Sequence, residues 1–234
     1  MAATPRQRDA FPSTRWSRIL SPGGGRDLDA LARAYERPVA AFLRAKLRCD
    51  EHDLADRTQE AFAWMLASGL FDKADPARGR FRGFLKKALA NFTIELARRE
   101  AAVKRGGQVS QHALDAVAEL VDDRSPSPEQ ALDEAWRRAL LADARDRLEA
   151  ELQRNGRGAY WRLFDDYFLA DGEQPTHAQL AERHGVTRND VSNWLDYGKR
   201  RYRALLREIV TETVATPEEL EQELRWLFGA DHDA

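Results

Sequence analysis

Arg78-Gly79-Arg80-Phe81-Arg82-Gly83-Phe84-Leu85-Lys86-Lys87-Ala88-Leu89-Ala90-Asn91 is the stretch on which the reading of the fold turns. Past Gly83, apolar residues recur at Phe84, Leu85, Ala88, Leu89, Phe92 and Leu96, the spacing of one helical face. Strand signals are weak almost everywhere else, and the 3.6-residue spacing recurs, so the chain reads as all-α. The same stretch sets cations beside Phe. Cations neutralise a phosphate backbone, and exposed rings offer unstacked bases a flat surface. That combination suits single-stranded or melting DNA. On this reading Lys86, Lys87, Asn91 and Arg98 share one side of the helix. Phe81 stands outside the buried stripe as a base contact, and Phe84 and Phe92 are core.

Charge is segregated around this stretch. The 234-residue chain has a net charge of only −2, yet Arg78 to Arg105 holds nine cations against two anions, a local net of +7. The segment from Asp115 to Asp146 is acidic. Such segregation implies one face for a polyanion and another for a basic or protein partner.

Working outward, a short helix opens at Phe11-Pro12-Ser13-Thr14-Arg15-Trp16 and is broken by Pro22 and Gly23 to Gly25. A helix follows from about Asp27 to Leu47, with Leu28, Leu31, Tyr35, Val39, Phe42 and Leu43 inward and Pro38 within it. The next spans roughly Glu51 to Ser68, with Leu54, Thr58, Ala61, Phe62 and Met65 on one side and Asp53, Asp56 and Glu60 opposite. The basic-aromatic helix runs to about Lys104 and ends at Gly106-Gly107. Residues 106–126 read as a linker with a short helix near Leu114 to Leu120. Ser127 caps a helix that runs to about Gln153, with Pro128 at its first position and Gln130 at its third. Another spans Tyr160 to Leu169.

Thr176-His177-Ala178-Gln179 is a capping box that opens a helix ending at Gly185. After Gly185-Val186-Thr187 a second helix starts, with Thr187 as cap and Asp190 three residues on. Helix, Gly-containing turn, helix is the helix-turn-helix pattern. Val191, Leu195, Tyr202, Leu205 and Ile209 point inward on the second helix. Thr187, Arg188, Asn189, Ser192 and Asn193 sit where base edges are within reach, and Lys199, Arg200 and Arg203 where phosphates are. Asp190 and Asp196 read as cap and solvent-facing residues, and Trp194 as packing or a contact to another chain. Residues 215–229 form a short amphipathic helix through Leu220, Leu224, Leu227 and Phe228. It is expected to pack back on the second domain; a regulatory latch or protein-binding surface is the alternative.

These segments, in order, resemble the sigma subunits of bacterial RNA polymerase of the extracytoplasmic-function type. Asp53 to Phe62 resembles the family's polymerase-binding helix. Phe81 to Arg99 resembles the helix that engages and melts the upstream edge of the promoter bubble. Ser127 to Leu152 looks like the start of the second domain, and Thr176 to Leu206 like its minus-thirty-five reading unit. Phe11 to Trp16, Asp75 to Arg82 and Lys104 to Gly107 are similar to a subgroup common in planctomycetes.

The resemblance implies two helical domains with a linker and an extension: residues 1–105, 106–126, 127–214 and 215–234. It implies that Asp53, Asp56, Gln59 and Glu60 meet core RNA polymerase. It places Arg78, Arg80, Phe81, Arg82, Lys86, Lys87, Asn91, Arg98 and Arg99 on promoter DNA at the minus-ten region, and the second helix of the helix-turn-helix on the minus-thirty-five region. An inhibitory regulator protein stays open as a further partner. One departure is Asn193-Trp194-Leu195-Asp196-Tyr197, where many members are more basic. Two other readings also stay open. One is a helix-turn-helix regulator that acts without polymerase. The other is a degenerate sigma-like protein that binds polymerase without initiating.

Other chemistry finds little support. The five histidines (His52, His112, His177, His184, His232) show no metal-ligand spacing, and Cys49, the only cysteine, reads as packing or an idle thiol. Gly23 to Gly25 and Gly106-Gly107 lack the strand-loop-helix setting of a phosphate loop. No cofactor and no enzymatic activity of its own are expected. A single cysteine and no long apolar run suit a cytoplasmic protein without a membrane segment.

Overall fold

The computed structural model describes residues 28–47, 49–70, 80–104, 126–169, 172–214 and 216–228. Among them are eight α-helices and no strand, so the all-α reading holds. They are α1 (Leu28–Leu47), α2 (Glu51–Ala67), α3 (Phe81–Lys104), α4 (Pro128–Arg154), α5 (Gly158–Phe168), α6 (His177–His184), α7 (Arg188–Thr211) and α8 (Pro217–Phe228). The expected helices near Phe11 and Leu114, Arg78, and the linker up to residue 125 lie outside the described residues. No helix among the described residues is long and apolar enough to cross a membrane.

By packing, the chain divides into two units. The first takes residues up to Ala139 together with those from Glu212 onward; the second is Leu140–Thr211. This differs from the sequence-based division at residue 127 with a separate C-terminal extension. The reason lies in the first turns of α4, where Leu132 and Trp136 are buried. Trp136 stacks on Tyr35 of α1 with ring centroids 4.6 Å apart. Aromatic burial of this size outweighs the sequence punctuation at Ser127.

In the first unit, α1, α2 and α3 bury most of the described residues of the face their spacing predicts. Tyr35, Val39, Phe42 and Leu43 are buried on α1, and Leu54, Thr58, Ala61 and Met65 on α2. Thr58 is tolerated inside because its hydroxyl donates to the Leu54 carbonyl at 2.7 Å. Asp50 starts α2, its carboxylate accepting the Asp53 N–H at 2.9 Å. On α3, Leu85, Ala88, Leu89, Phe92 and Leu96 are buried. Phe62 and Phe84, expected inside, are only half-buried.

The second unit carries the helix-turn-helix. Leu163 of α5, Leu180 of α6, and Val191 and Leu195 of α7 form its core, with Tyr167, Ala181, Val186 and Trp194 packed around them. The capping box at Thr176 is complete: Gln179 N–H reaches the Thr176 hydroxyl at 3.3 Å, and Gln179 returns a carbonyl to the Thr176 N–H at 2.8 Å. α6 ends at Gly185 with φ 65°, a left-handed conformation that favours glycine. Gly198 serves another purpose. A Cβ there would lie 2.7 Å from the Phe164 ring, so glycine lets α7 approach α5 closely.

Glu151 on α4 and Arg201 on α7 join two elements of this unit. Arg201 Nε donates to both Glu151 oxygens, at 2.8 and 2.9 Å, and its Nη1 donates to Glu208 at 2.9 Å. The Arg201 guanidinium holds the Glu151 carboxyl below the usual glutamate range. A carboxylate so lowered stabilises the folded state above its unfolded pKa, about 4.3, and loses that contribution as pH falls through its folded value. Glu151→Gln is therefore expected to cost about 1–2 kcal/mol at neutral pH, discounted for partial exposure. The gap from the parent should narrow steadily below about pH 4, as denaturant titration across the acid range would show.

Candidate functional site

The start of α3 does not present what the sequence suggested. Phe81 is 2% exposed, and its ring centroid lies 4.7 Å from Tyr35, 6.0 Å from Phe84 and 6.3 Å from Trp136. It is a core residue, which corrects its assignment as an exposed base contact. The sequence reading missed it because its partner Trp136 comes from the segment assigned to the second domain.

The cations around Phe81 are engaged by the protein's own carboxylates. Arg80 donates to Glu223 at 2.7 Å and to the Gln222 side-chain oxygen at 2.8 Å. Arg82 is buried; it donates to Asp133 at 2.6 Å and to both Glu223 oxygens at 3.0 and 3.2 Å. Lys86 reaches the other Asp133 oxygen at 2.6 Å. The Arg82 guanidinium also lies 3.8 Å from the Trp226 ring centroid. The segregated charges of the sequence thus meet inside one unit: the acidic segment supplies Asp133, and the terminal helix supplies Glu223. In this conformation Arg80, Arg82 and Lys86 are not free for phosphate, contrary to their sequence-based reading.

A second face of α3 is open. Gly83, Lys87, Asn91, Ile94 and Arg98 are all exposed, at steps of three or four residues that keep them on one side. Lys87 and Arg98 stand about 16 Å apart along the axis. Ile94, 41% exposed, lies between Asn91 and Arg98. Sequence reasoning missed Ile94, although its step of three from Asn91 and four to Arg98 is visible in the chain.

On α2, Asp53, Asp56 and Gln59 are exposed. Glu60 differs from them. It accepts from Arg57 at 2.8 Å and pairs with Arg99 of α3 at 2.9 Å, while Arg57 also reaches Glu100 at 2.6 Å. The Glu60 hydrogen bond raises the Arg57 pKa, helped by the Glu100 charge and opposed by burial. Arg99 is exposed and Glu60 only half-buried, so their pairing is worth about 1 kcal/mol or less.

On α7, Arg188, Asn189, Asn193, Asp196, Lys199 and Arg200 are exposed, and Ser192 and Arg203 are half-buried. Ser192 sits 3.1 Å from His177 Nδ1 and donates to the Arg188 carbonyl at 3.2 Å. Thr187 and Asp190 form a reciprocal cap: the Asp190 N–H reaches the Thr187 hydroxyl at 3.1 Å, and Asp190 Oδ2 accepts the Thr187 N–H at 3.0 Å. The Thr187 hydroxyl, then its N–H, holds the Asp190 carboxyl below the usual range. Asp190 is therefore the cap the sequence indicated. Trp194 stacks on Tyr160 at 4.3 Å and 20°, which makes it a packing residue. Arg157 lies over Tyr197, 4.8 Å from its centroid.

A cation-bearing exposed helix face and a helix-turn-helix are elements with which helical proteins bind nucleic acid. Residues 29–157 match the family model described as ECF sigma factor, more than half of the chain, and the chain belongs to that family. Members of this family act in transcription initiation with RNA polymerase and are not enzymes in their own right. The match covers α1 from its second residue and all of α2, α3 and α4, while the helix-turn-helix lies beyond it. No curated protein and no solved structure matches the chain.

Proposed function

We propose that this chain is a promoter-specificity subunit that binds core RNA polymerase, recognises promoter DNA and takes part in opening its strands. The observation that carries this reading is the open face of α3. Lys87 and Arg98 bracket Asn91 and Ile94, so two phosphate-seeking cations flank an amide and an apolar side chain. Phosphates would be held at the ends and a base accommodated between them. α2 offers Asp53, Asp56 and Gln59 to a basic surface of polymerase. α7 offers Arg188, Asn189 and Asn193 to base edges, and Lys199, Arg200 and Arg203 to phosphates, at the minus-thirty-five region.

Run-off transcription with core polymerase on genomic fragments tests the reading; no transcript from any fragment, with no binding to core, would count against it. Within that assay, replacing Lys87 and Arg98 together by Ala is expected to weaken open-complex formation about tenfold. It should also shrink the dependence of log K on log salt by about 1.4, two single-strand phosphates at about 0.7 each. An unchanged salt slope would remove direct phosphate contact from this face.

Two observations favour a second reading, a sigma-like protein that binds polymerase without initiating. Arg80, Arg82 and Lys86 are already neutralised, and Asp196 sits exposed on the reading helix. That reading expects core binding with no transcript.

A further inference from the structure

The terminal helix was expected to pack on the second domain, but it belongs with the first unit. Its start is ordinary: Thr216 accepts the Glu219 N–H at 3.2 Å, and Pro217 leads the helix. Its inward row is not. Leu220, Glu223 and Leu227 are the buried positions, so a carboxylate stands in the middle of an apolar stripe. Burying an ion is costly unless other groups satisfy it. Glu223, with a side chain only 5% exposed, is satisfied by Arg80 and Arg82, whose sequence separation from it exceeds 140 residues. One turn on, the Trp226 ring stacks on the same Arg82.

These two groups have the chemistry of a nucleotide. A carboxylate in forked contact with guanidinium groups occupies the place of a phosphate, since Arg binds both through paired N–H donors. An indole over a guanidinium plane occupies the place of a base, because Arg stacks on either kind of ring. α8 carries both on one face, 3 residues apart. The residues it covers lie at the start of α3, in the basic-aromatic stretch of the chain.

We propose that α8 is a built-in nucleotide mimic: Glu223 and Trp226 occupy a phosphate-and-base site on Arg80 and Arg82, and α8 must leave before that site takes single-stranded DNA. The proposal rests on the reading of α3 as the strand-binding helix. It separates two pairs of cations on and just before α3. Lys87 and Arg98 are open at all times and supply first contact. Arg80 and Arg82 become available only once α8 is displaced, either by DNA competing for the guanidinium groups or by polymerase capturing the helix. Asp133 stays with Arg82 and Lys86 when α8 leaves. The released site then holds three cations against one carboxylate instead of two.

The test uses the full chain and a fluorescently labelled single-stranded oligonucleotide of mixed sequence, titrated by anisotropy across a salt series. Glu223→Gln keeps the shape and removes the charge. If the mimic occupies the site in about nine molecules of ten, this change should tighten binding up to about tenfold. It should also steepen the salt slope by about 1.4, as Arg80 and Arg82 each gain a phosphate. Glu129→Gln, the same charge change at an exposed position of α4, should do neither. In the parent protein, hydrogen exchange across 217–228 should quicken when the oligonucleotide is added, a readout that does not depend on how well the variant folds.

Unchanged or weaker binding by Glu223→Gln, with the same slope, overturns the mimic while leaving the promoter reading intact. So does unaltered protection of 217–228 in the DNA complex. If neither chain binds the oligonucleotide at low salt, both the mimic and the strand-binding role of α3 fail.

Discussion

Phe81→Ala is expected to cost the first unit about 3–5 kcal/mol, the usual loss when a buried Phe ring is deleted from a packed core. Total stability of a domain is about 5–15 kcal/mol, so the variant would sit near the edge of folding. Four rings, Tyr35, Phe81, Phe84 and Trp136, meet at this point, and the ring of Phe81 lies within 6.3 Å of each of the others. Removing it leaves a cavity that α1, α3 and α4 all line. Phe81→Leu retains much of the volume and should cost about 1–2 kcal/mol. Denaturant titration orders the three proteins. If Phe81→Ala instead lost less than about 1 kcal/mol while strand opening disappeared, the ring would belong to the DNA and not to the core.

The difference between expectation and outcome at Phe81 shows what a single chain can disclose. Helical periodicity is local: residues three and four apart determine whether Leu85, Ala88, Leu89, Phe92 and Leu96 share a face, and all five are buried. Caps are local too, and those at Ser127, Thr176 and Thr187 could be read from four residues each. Phe81 depends instead on Trp136, 55 residues on, and Arg82 depends on Glu223, 141 residues on. No periodicity within α3 announces either partner. One hint was available. Glu223 falls between Leu220 and Leu227 on the inward row of its helix, and a carboxylate in that row requires a cation opposite.

The charge pattern was legible as segregation but not as pairing. A run with net +7 beside an acidic segment looks, in one dimension, like two surfaces for two partners. In three dimensions Asp133 bridges Arg82 and Lys86 through its two oxygens, at 2.6 Å each. Among the described residues of that run, the row from Lys87 to Arg98 stays open to a polyanion. The site is thus smaller at rest than composition implied, and its enlargement depends on a helix from the far end of the chain.

Reversing Asp53 and Asp56 together to Lys is expected to weaken binding to core RNA polymerase about 100-fold, close to 2.7 kcal/mol. Both side chains are exposed on α2, so the loss should come from the interface and not from the fold. Surface changes of this kind usually shift stability by less than about 0.5 kcal/mol. Asp53 lies in the first turn of its helix, where a negative charge is favoured, and its reversal adds a further small cost. Asp56, beyond that turn, is the cleaner single probe. Glu60→Lys is the informative contrast. It breaks contacts to Arg57 and Arg99 within the protein, so stability and binding would fall together and the two effects would not separate. If binding is electrostatic, the double reversal should also flatten the salt dependence of association. Titration against core polymerase at two salt concentrations measures both quantities. An affinity unchanged by the double reversal would move the docking surface off α2 and leave its carboxylates as an ordinary solvated face.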